Sequence, residues 1–236
     1  LKGRVIISKE GINGTISGKT NDCENYIKKI YSDIRFKNVE FKIAKHPKNV
    51  FNKLNVRLKK EIVNSGIKNI DPNKLSGKYI EPKEFKSILK NKADDVVILD
   101  IRSNYEYNVG KFKNAVTLDI ENFREFQAKI DELKKFKNKK IITYCTGGVK
   151  CEKASGFLLK KGFKNVYQLH GGIIKYGIEE DGYDFEGKCY VFDNRLTVNI
   201  NKSNPSVISK CYITGELSDR MVNCANPECN IHVPMS

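Results

Sequence analysis

The sequence predicts an α/β chain, in which a parallel-sheet domain follows a small α+β domain and precedes a cysteine-bearing extension. Three observations lead there. Short unbroken apolar runs, Val96-Val97-Ile98-Leu99 and Ile141-Ile142, read as strands buried on both faces. Helical patterns alternate with these runs, as a parallel sheet requires. Strand-like pieces nearer the start, such as Leu54-Asn55-Val56-Arg57-Leu58, instead alternate apolar with polar, as half-covered strands do.

Three zones follow, 1–77, 78–184 and 185–236. In the first, residues 4–8 read as a strand. Glu10-Gly11-Ile12-Asn13-Gly14 reads as a turn cluster, and Thr15-Ile16-Ser17 as a second strand. Thr20 or Asn21 is placed to cap a helix carrying Tyr26, Ile27 and Ile30 at helical spacing. Phe41-Lys42-Ile43-Ala44 alternates like a strand. In the second zone, Glu81-Pro82 starts a helix with proline near its first position. Strands are expected at 96–100, 141–144 and 166–169. A helix over 152–161 puts Ala154, Phe157 and Leu158 on one face, with Gly162 as its stop. The third zone opens with strand-like Tyr190-Val191-Phe192-Asp193 and is otherwise polar.

The chain has 236 residues, a formal net charge of +15 and a pI near 9.4. Residues 1–70 hold 16 Lys/Arg against 6 Asp/Glu, and the remainder 27 against 22. A basic excess at one end points to a polyanionic partner, nucleic acid being the commonest. Base bias in an AT-rich genome yields the same Lys- and Asn-rich composition. No apolar stretch approaches the roughly 18 residues of a membrane span, and nothing at the start resembles a signal peptide. The first residue is Leu, not Met, so the opening is expected to be clipped of a strand and helix, and the end to be cut at Ser236. Seven cysteines, an odd number in a chain of this size, argue for reduced thiols in the cytoplasm rather than a disulfide framework.

The chemistry concentrates after the second buried strand. Cys145 follows Tyr144 directly, and Thr146-Gly147-Gly148-Val149-Lys150-Cys151 lead into a helix. A cysteine at the carboxyl end of a parallel strand lies where open α/β sheets bind ligands. The glycines let the loop curl so that backbone N–H groups converge, and the helix adds its positive end. Both favour a thiolate at Cys145 and an anion above it. A phosphatase loop needs arginine six positions after its cysteine, and here that position is Cys151. The shorter loop, ending on the basic Lys150, has the rhodanese length and suits a sulfur-sized group.

The resemblance is then specific. Asp100-Ile101-Arg102, Tyr105-Glu106-Tyr107, Gly110 and Ala115 resemble the rhodanese pattern before its active loop. The run from Tyr144 to Ser155, with Glu10-Gly11-Ile12-Asn13-Gly14-Thr15, Lys78-Tyr79-Ile80-Glu81-Pro82, Phe123-Arg124-Glu125-Phe126 and Val191-Phe192-Asp193, resembles the bacterial tRNA uridine hydroxylase family. The resemblance covers nearly the whole chain. It implies a rhodanese-like domain after a ferredoxin-like α+β domain. It also implies a tRNA-modifying oxidoreductase that converts wobble uridine 34 to 5-hydroxyuridine with molecular oxygen, and Cys145 stands where the family has its essential cysteine. Asp100 and Arg102 are expected to support the loop, and Glu106 and Lys153 to be surface or loop-support charges.

Two departures stand out. Lys150 replaces the family's usual arginine, keeping the charge but losing the bidentate fork. The family's C-terminal cysteine array, which looks like a zinc site, is thinned. Cys211, Cys224 and Cys229 remain, but Thr214 and Ser218 stand where cysteines are expected. Three thiols need a further ligand, such as His232, so zinc there is only a candidate and no metal is assigned. Cys145 has two open chemistries: a thiolate adding to C6 of uracil, or a persulfide or sulfenic acid for which Cys151 serves as resolving thiol. The alternative function is a plain sulfurtransferase carrying a Cys145 persulfide. No dinucleotide fingerprint or metal set accompanies the loop, so no bound cofactor is implied.

Overall fold

A computed structural model of the chain describes residues 1–91 and 93–236. Two compact units separate by their internal contacts: Leu1–Ile62 with Asp193–Arg195, and Val63–Phe192 with Leu196–Ser236.

In the first unit β1 (Lys2–Ser8) pairs antiparallel with β2 (Gly11–Ser17), α1 (Thr20–Tyr31) follows, and β3 (Leu54–Leu58) pairs parallel with β1. The strand order is β2-β1-β3. Three local expectations are corrected. The turn falls at Lys9-Glu10, and Asn13-Gly14 lies inside β2, opposite Ile6 and Val5. A Cβ on Gly14 would come within 2.7 Å of the Arg4 carbonyl, so this glycine serves close strand approach rather than a turn. The α1 N-cap is Lys19, which makes no side-chain cap bond. The 41–44 segment forms no strand, because Phe41 packs edge-on against Tyr26 and Tyr31 of α1 instead.

The second unit opens with 63–77, a segment that the expected boundaries had put in the first zone. Its Ile67 and Ile70 join the core of this unit, and Gly77 N–H donates to Ser155 Oγ at 2.8 Å. Then come β4 (Lys78–Ile80), α2 (Pro82–Asn91), β5 (Val96–Asp100), α3 (Asn104–Tyr107), β6 (Gly110–Phe112) and β7 (Val116–Thr117). After them follow α4 (Ile130–Leu133), β8 (Lys140–Tyr144), α5 (Val149–Lys160), β9 (Asn165–Leu169) and α6 (Gly172–Glu179). The central sheet has the order β4-β9-β8-β5-β7, with every neighbouring pair parallel. Successive residues of a strand face opposite ways, and the two faces hold separate cores. Ile141 joins Val97, Leu99, Leu158 and Phe163 on one side; Ile142 joins Ile80, Phe85, Leu169 and Ile173 on the other. The apolar runs are continuous because both faces are covered.

A small sheet of β10 (Phe185–Tyr190) between β6 and β11 (Thr197–Asn199) lies beside this core, and β12 (Met221–Asn223) with β13 (His232–Pro234) forms a hairpin near the end. Strand β10 stops at Tyr190, earlier than the 190–193 reading. No helix among the described residues is long and apolar enough to cross a membrane.

Candidate active site

Strands β5 and β8 pair with Asp100 opposite Tyr144, and the chain leaves β8 at Cys145. The exit is tight. Gly148 takes a φ of +93°, open mainly to glycine, and caps α5. Its N–H donates to Cys145 Sγ at 3.2 Å. The N-terminus of the 12-residue α5 meets the same sulfur and contributes its positive end.

Cys145 is only 2% exposed. Burial pushes its thiol up, but the Cys151 S–H, the Lys150 charge and the backbone N–H groups of Cys151 and Lys150 outweigh it and bring it down to about 6. Burial, together with the Cys145 sulfur, holds the Cys151 thiol well above its ordinary value. Of the two, Cys145 is therefore the thiolate and Cys151 the proton donor. No disulfide joins them.

The loop residues divide by role. Thr146, Gly147, Gly148, Val149 and Lys150 are all half-buried, while Cys151 is fully enclosed behind the loop. A Cβ on Gly147 would meet nothing within 4 Å, so the loop is open at this point. Lys150 Nζ ion-pairs with Glu106 Oε2 at 2.5 Å. Its charge is thus partly committed to a protein carboxylate. Glu106 is completely buried, accepts from the Ser103 N–H at 3.2 Å and lies 3.4 Å from the Thr146 hydroxyl. It ties the loop to α3.

Asp100 and Arg102 are also fully buried. Arg102 makes a fork to both Asp100 oxygens, with Nε–Oδ1 at 2.9 Å and Nη2–Oδ2 at 2.7 Å, and donates to the Gly110 carbonyl at 2.6 Å. Neither side chain reaches the surface. Tyr144 packs between Phe112 and Arg102 with its hydroxyl accepting from the Phe112 N–H. It is fully buried, so it supports the loop from beneath. Lys153 is buried too.

Sequence reading missed the clamp on the loop. Gly171 and Gly172 both have positive φ, and the N–H groups of Ile173 and Ile174 donate to the carbonyls of Cys145 and Thr146 at 3.0 and 3.1 Å. A Cβ on Gly172 would lie 2.4 Å from the Cys145 carbonyl oxygen. The signal was the Gly-Gly pair after the third strand, but nothing local says that it faces a loop more than twenty residues earlier. Also missed was a cleft of about 460 Å³, whose walls include Asn64, Tyr105, Asn122, Arg124, Lys150 and Phe192.

Three family models tile the chain: the UPF0176 acylphosphatase like domain over residues 1–62, the rhodanese-like domain over 81–179 and the rhodanase C-terminal over 186–236. A tRNA uridine(34) hydroxylase of Cytophaga hutchinsonii is 61% identical over 235 residues, which is 100% of this chain and 75% of that protein. The chain belongs to the tRNA uridine(34) hydroxylase family. A second member, from Bacillus licheniformis, is 47% identical across 98% of this chain and 72% of its own. A rhodanese-like domain from Anabaena sp. is 22% identical, covering 62% of this chain and 98% of that one, with a TM-score of 0.39, a likeness too slight to bear on function.

The cysteines of the family's C-terminal segment do not assemble here. Among the described residues no three His, Cys, Asp or Glu side chains gather as a metal-holding group, so Cys211, Cys224 and Cys229 do not form the candidate zinc set. Cys211 Sγ is closed off instead, accepting from the Ser236 hydroxyl at 3.3 Å and the Thr214 N–H at 3.4 Å. These donors, the Ser236 hydroxyl foremost, hold its thiol down to about 6.

Proposed function

We propose that this chain hydroxylates C5 of uridine 34 in tRNA, with Cys145 as the reacting thiol and molecular oxygen as co-substrate. The observation that carries the reading is the buried Cys145 thiolate in its ring of donors, in a member of this family. A thiolate held by fixed N–H groups adds to C6 of the uracil ring and makes C5 nucleophilic. C5 then takes one oxygen atom of O2, the other leaves as water with two electrons and two protons from an external reductant, and loss of the C5 proton with expulsion of the sulfur restores the ring. The open side of the loop at Gly147 is the approach for the base. Cys151, whose thiol keeps its proton, supports the thiolate as a hydrogen-bond donor.

The remaining roles follow from position. Lys150 biases Cys145 towards its ionised form. Glu106, Asp100 and Arg102 hold the loop, and Gly172 lets the chain after β9 clamp it. The 16 Lys/Arg against 6 Asp/Glu in residues 1–70 support a tRNA-docking role for the basic end. The place of work is the cytoplasm, where such tRNA is found.

The test is nucleoside mass spectrometry of tRNA from cells lacking the modification, after aerobic incubation with the parent or with Cys145→Ala. 5-Hydroxyuridine with the parent alone supports the reading. Sulfur transfer from thiosulfate to cyanide without hydroxyuridine replaces it with the sulfurtransferase.

A further inference from the structure

We propose that the cleft beside the active loop is a nucleotide subsite that holds a neighbour of the reacting uridine: its base lies against Phe192 and Tyr105, and its phosphate on Arg124. The proposal rests on the tRNA reading above.

The cleft has the chemistry of a nucleotide site. Its lining carries two basic side chains, Arg124 and the Glu106-paired Lys150, and no carboxylate of its own. Two aromatic walls are held in place rather than loose. Tyr105 and Phe192 both pack edge-on against Tyr190, at 5.0 and 5.3 Å between ring centroids. Phe192 stays 46% exposed, so its outer face is available to a ligand. Phe192, fixed on one side and open on the other, is a stacking platform for an unpaired base, and Tyr105, also held edge-on by His232 at 5.7 Å, is the more enclosed wall beside it. The Lys150 ammonium, 5.6 Å from the Phe192 ring centre, adds a cation to the same wall.

Arg124 is aimed, not merely present. Its backbone N–H donates to Asn122 Oδ1 at 3.2 Å, and its Nε donates to Asn64 Oδ1 at 2.8 Å. The two Nη groups have no protein partner among the described residues, leaving the fork for a phosphate. The volume, about 460 Å³, falls within the range of small-ligand pockets. The cleft is not the seat of the reacting base, since Cys145 is absent from its lining. Lys150 belongs both to the active loop and to the cleft wall. A nucleotide in the cleft is therefore next to the loop without occupying it, as a chain neighbour of the reacting uridine must be.

The experiment measures binding of a fluorescently labelled anticodon stem-loop RNA, unmodified at position 34, to the full chain by anisotropy over a range of salt. Arg124→Ala is expected to weaken binding roughly tenfold and to reduce the steepness of the salt dependence by about one unit. Arg124→Lys should keep the slope and recover part of the affinity. Phe192→Leu should weaken binding by about tenfold with the slope unchanged. An abasic residue at position 33 or 35 of the RNA should abolish the Phe192→Leu effect. Thermal melting checks that each variant is folded.

Folded Arg124 and Phe192 variants that bind like the parent would overturn the subsite, as would a parent that fails to bind the RNA. A Phe192→Leu effect that survives both abasic probes would overturn it too. Turnover of tRNA by the parent is read separately. Hydroxylation without these binding effects removes the subsite and leaves the function. The binding effects without hydroxylation remove the function and leave an RNA site.

Discussion

Cys145 and Cys211 are both held at about 6, well below an ordinary thiol, and are reached by different routes. At Cys145 burial works against ionisation, and a neighbouring thiol, a lysine charge and converging backbone N–H groups overcome it. At Cys211 the hydroxyl and backbone donors of Ser236 and Thr214 suffice. The first sulfur lies where a parallel sheet, a helix start and an open loop meet. The second is capped by the very groups that lower it. An acidic thiol is therefore not by itself a site. The site needs an opening and further groups aimed at the same point.

The sharpest break of this comparison is a pair of substitutions. Cys145→Ala should reduce 5-hydroxyuridine formation by at least about a thousandfold, whereas Cys211→Ser should stay within about twofold of the parent. Equal losses measured by nucleoside mass spectrometry would erase the distinction between the two sulfurs.

Next in size is Gly172→Ala. The added carbon would sit 2.4 Å from the Cys145 carbonyl and 2.7 Å from the Gly148 nitrogen, at a φ of +65°. The backbone strain alone costs about 1–3 kcal/mol. Displacing the loop should cost roughly a hundredfold in turnover, more than the stability loss accounts for. Thermal unfolding and turnover on the same sample check this. Asp100→Asn tests the support beneath the loop. It leaves the Arg102 guanidinium buried against a neutral partner, and loss of about 3–5 kcal/mol is expected from denaturant unfolding.

A smaller effect concerns pH. The Cys145 thiol takes up its proton as pH falls through about 6, so kcat/KM should decline on that side. Lys150→Met removes a cation that favours the thiolate, and the acid limb should move to higher pH by roughly one unit. A limb that stays in place would take Lys150 out of the cradle. The smallest change is expected for Thr214→Val, which removes one donor from Cys211. Its alkylation by iodoacetamide near neutral pH should slow, while tRNA hydroxylation does not change.

What was legible in the chain was whatever is written in consecutive residues. The runs at 96–99 and 141–142 appear as β5 and β8, and Pro82 and Gly162 bracket helices as their backbone limits require. Cys145, Gly148 and Lys150 were legible together because a strand end, a left-handed glycine and a helix start are six residues long. Asn13-Gly14 misled, since a glycine pressed against a neighbouring strand carries the same letters as one in a turn. Glu106 was readable as either a surface or a loop-support charge, and nothing local chose between them. Its burial depends on Ser103, Thr146 and Lys150 closing on it together.

The sequence by itself determined the parallel-sheet class, the place of the candidate cysteine and the family. Each rests on local pattern: period, glycine freedom and the spacing of one loop. Only the tertiary structure decided that Gly172 clamps that loop, that Lys150 is paired with Glu106, that the C-terminal cysteines do not converge, and that Tyr105, Arg124 and Phe192 share one cleft. Those facts depend on distances between segments far apart in the chain, and such distances follow from packing both faces of the sheet, not from any single stretch of residues.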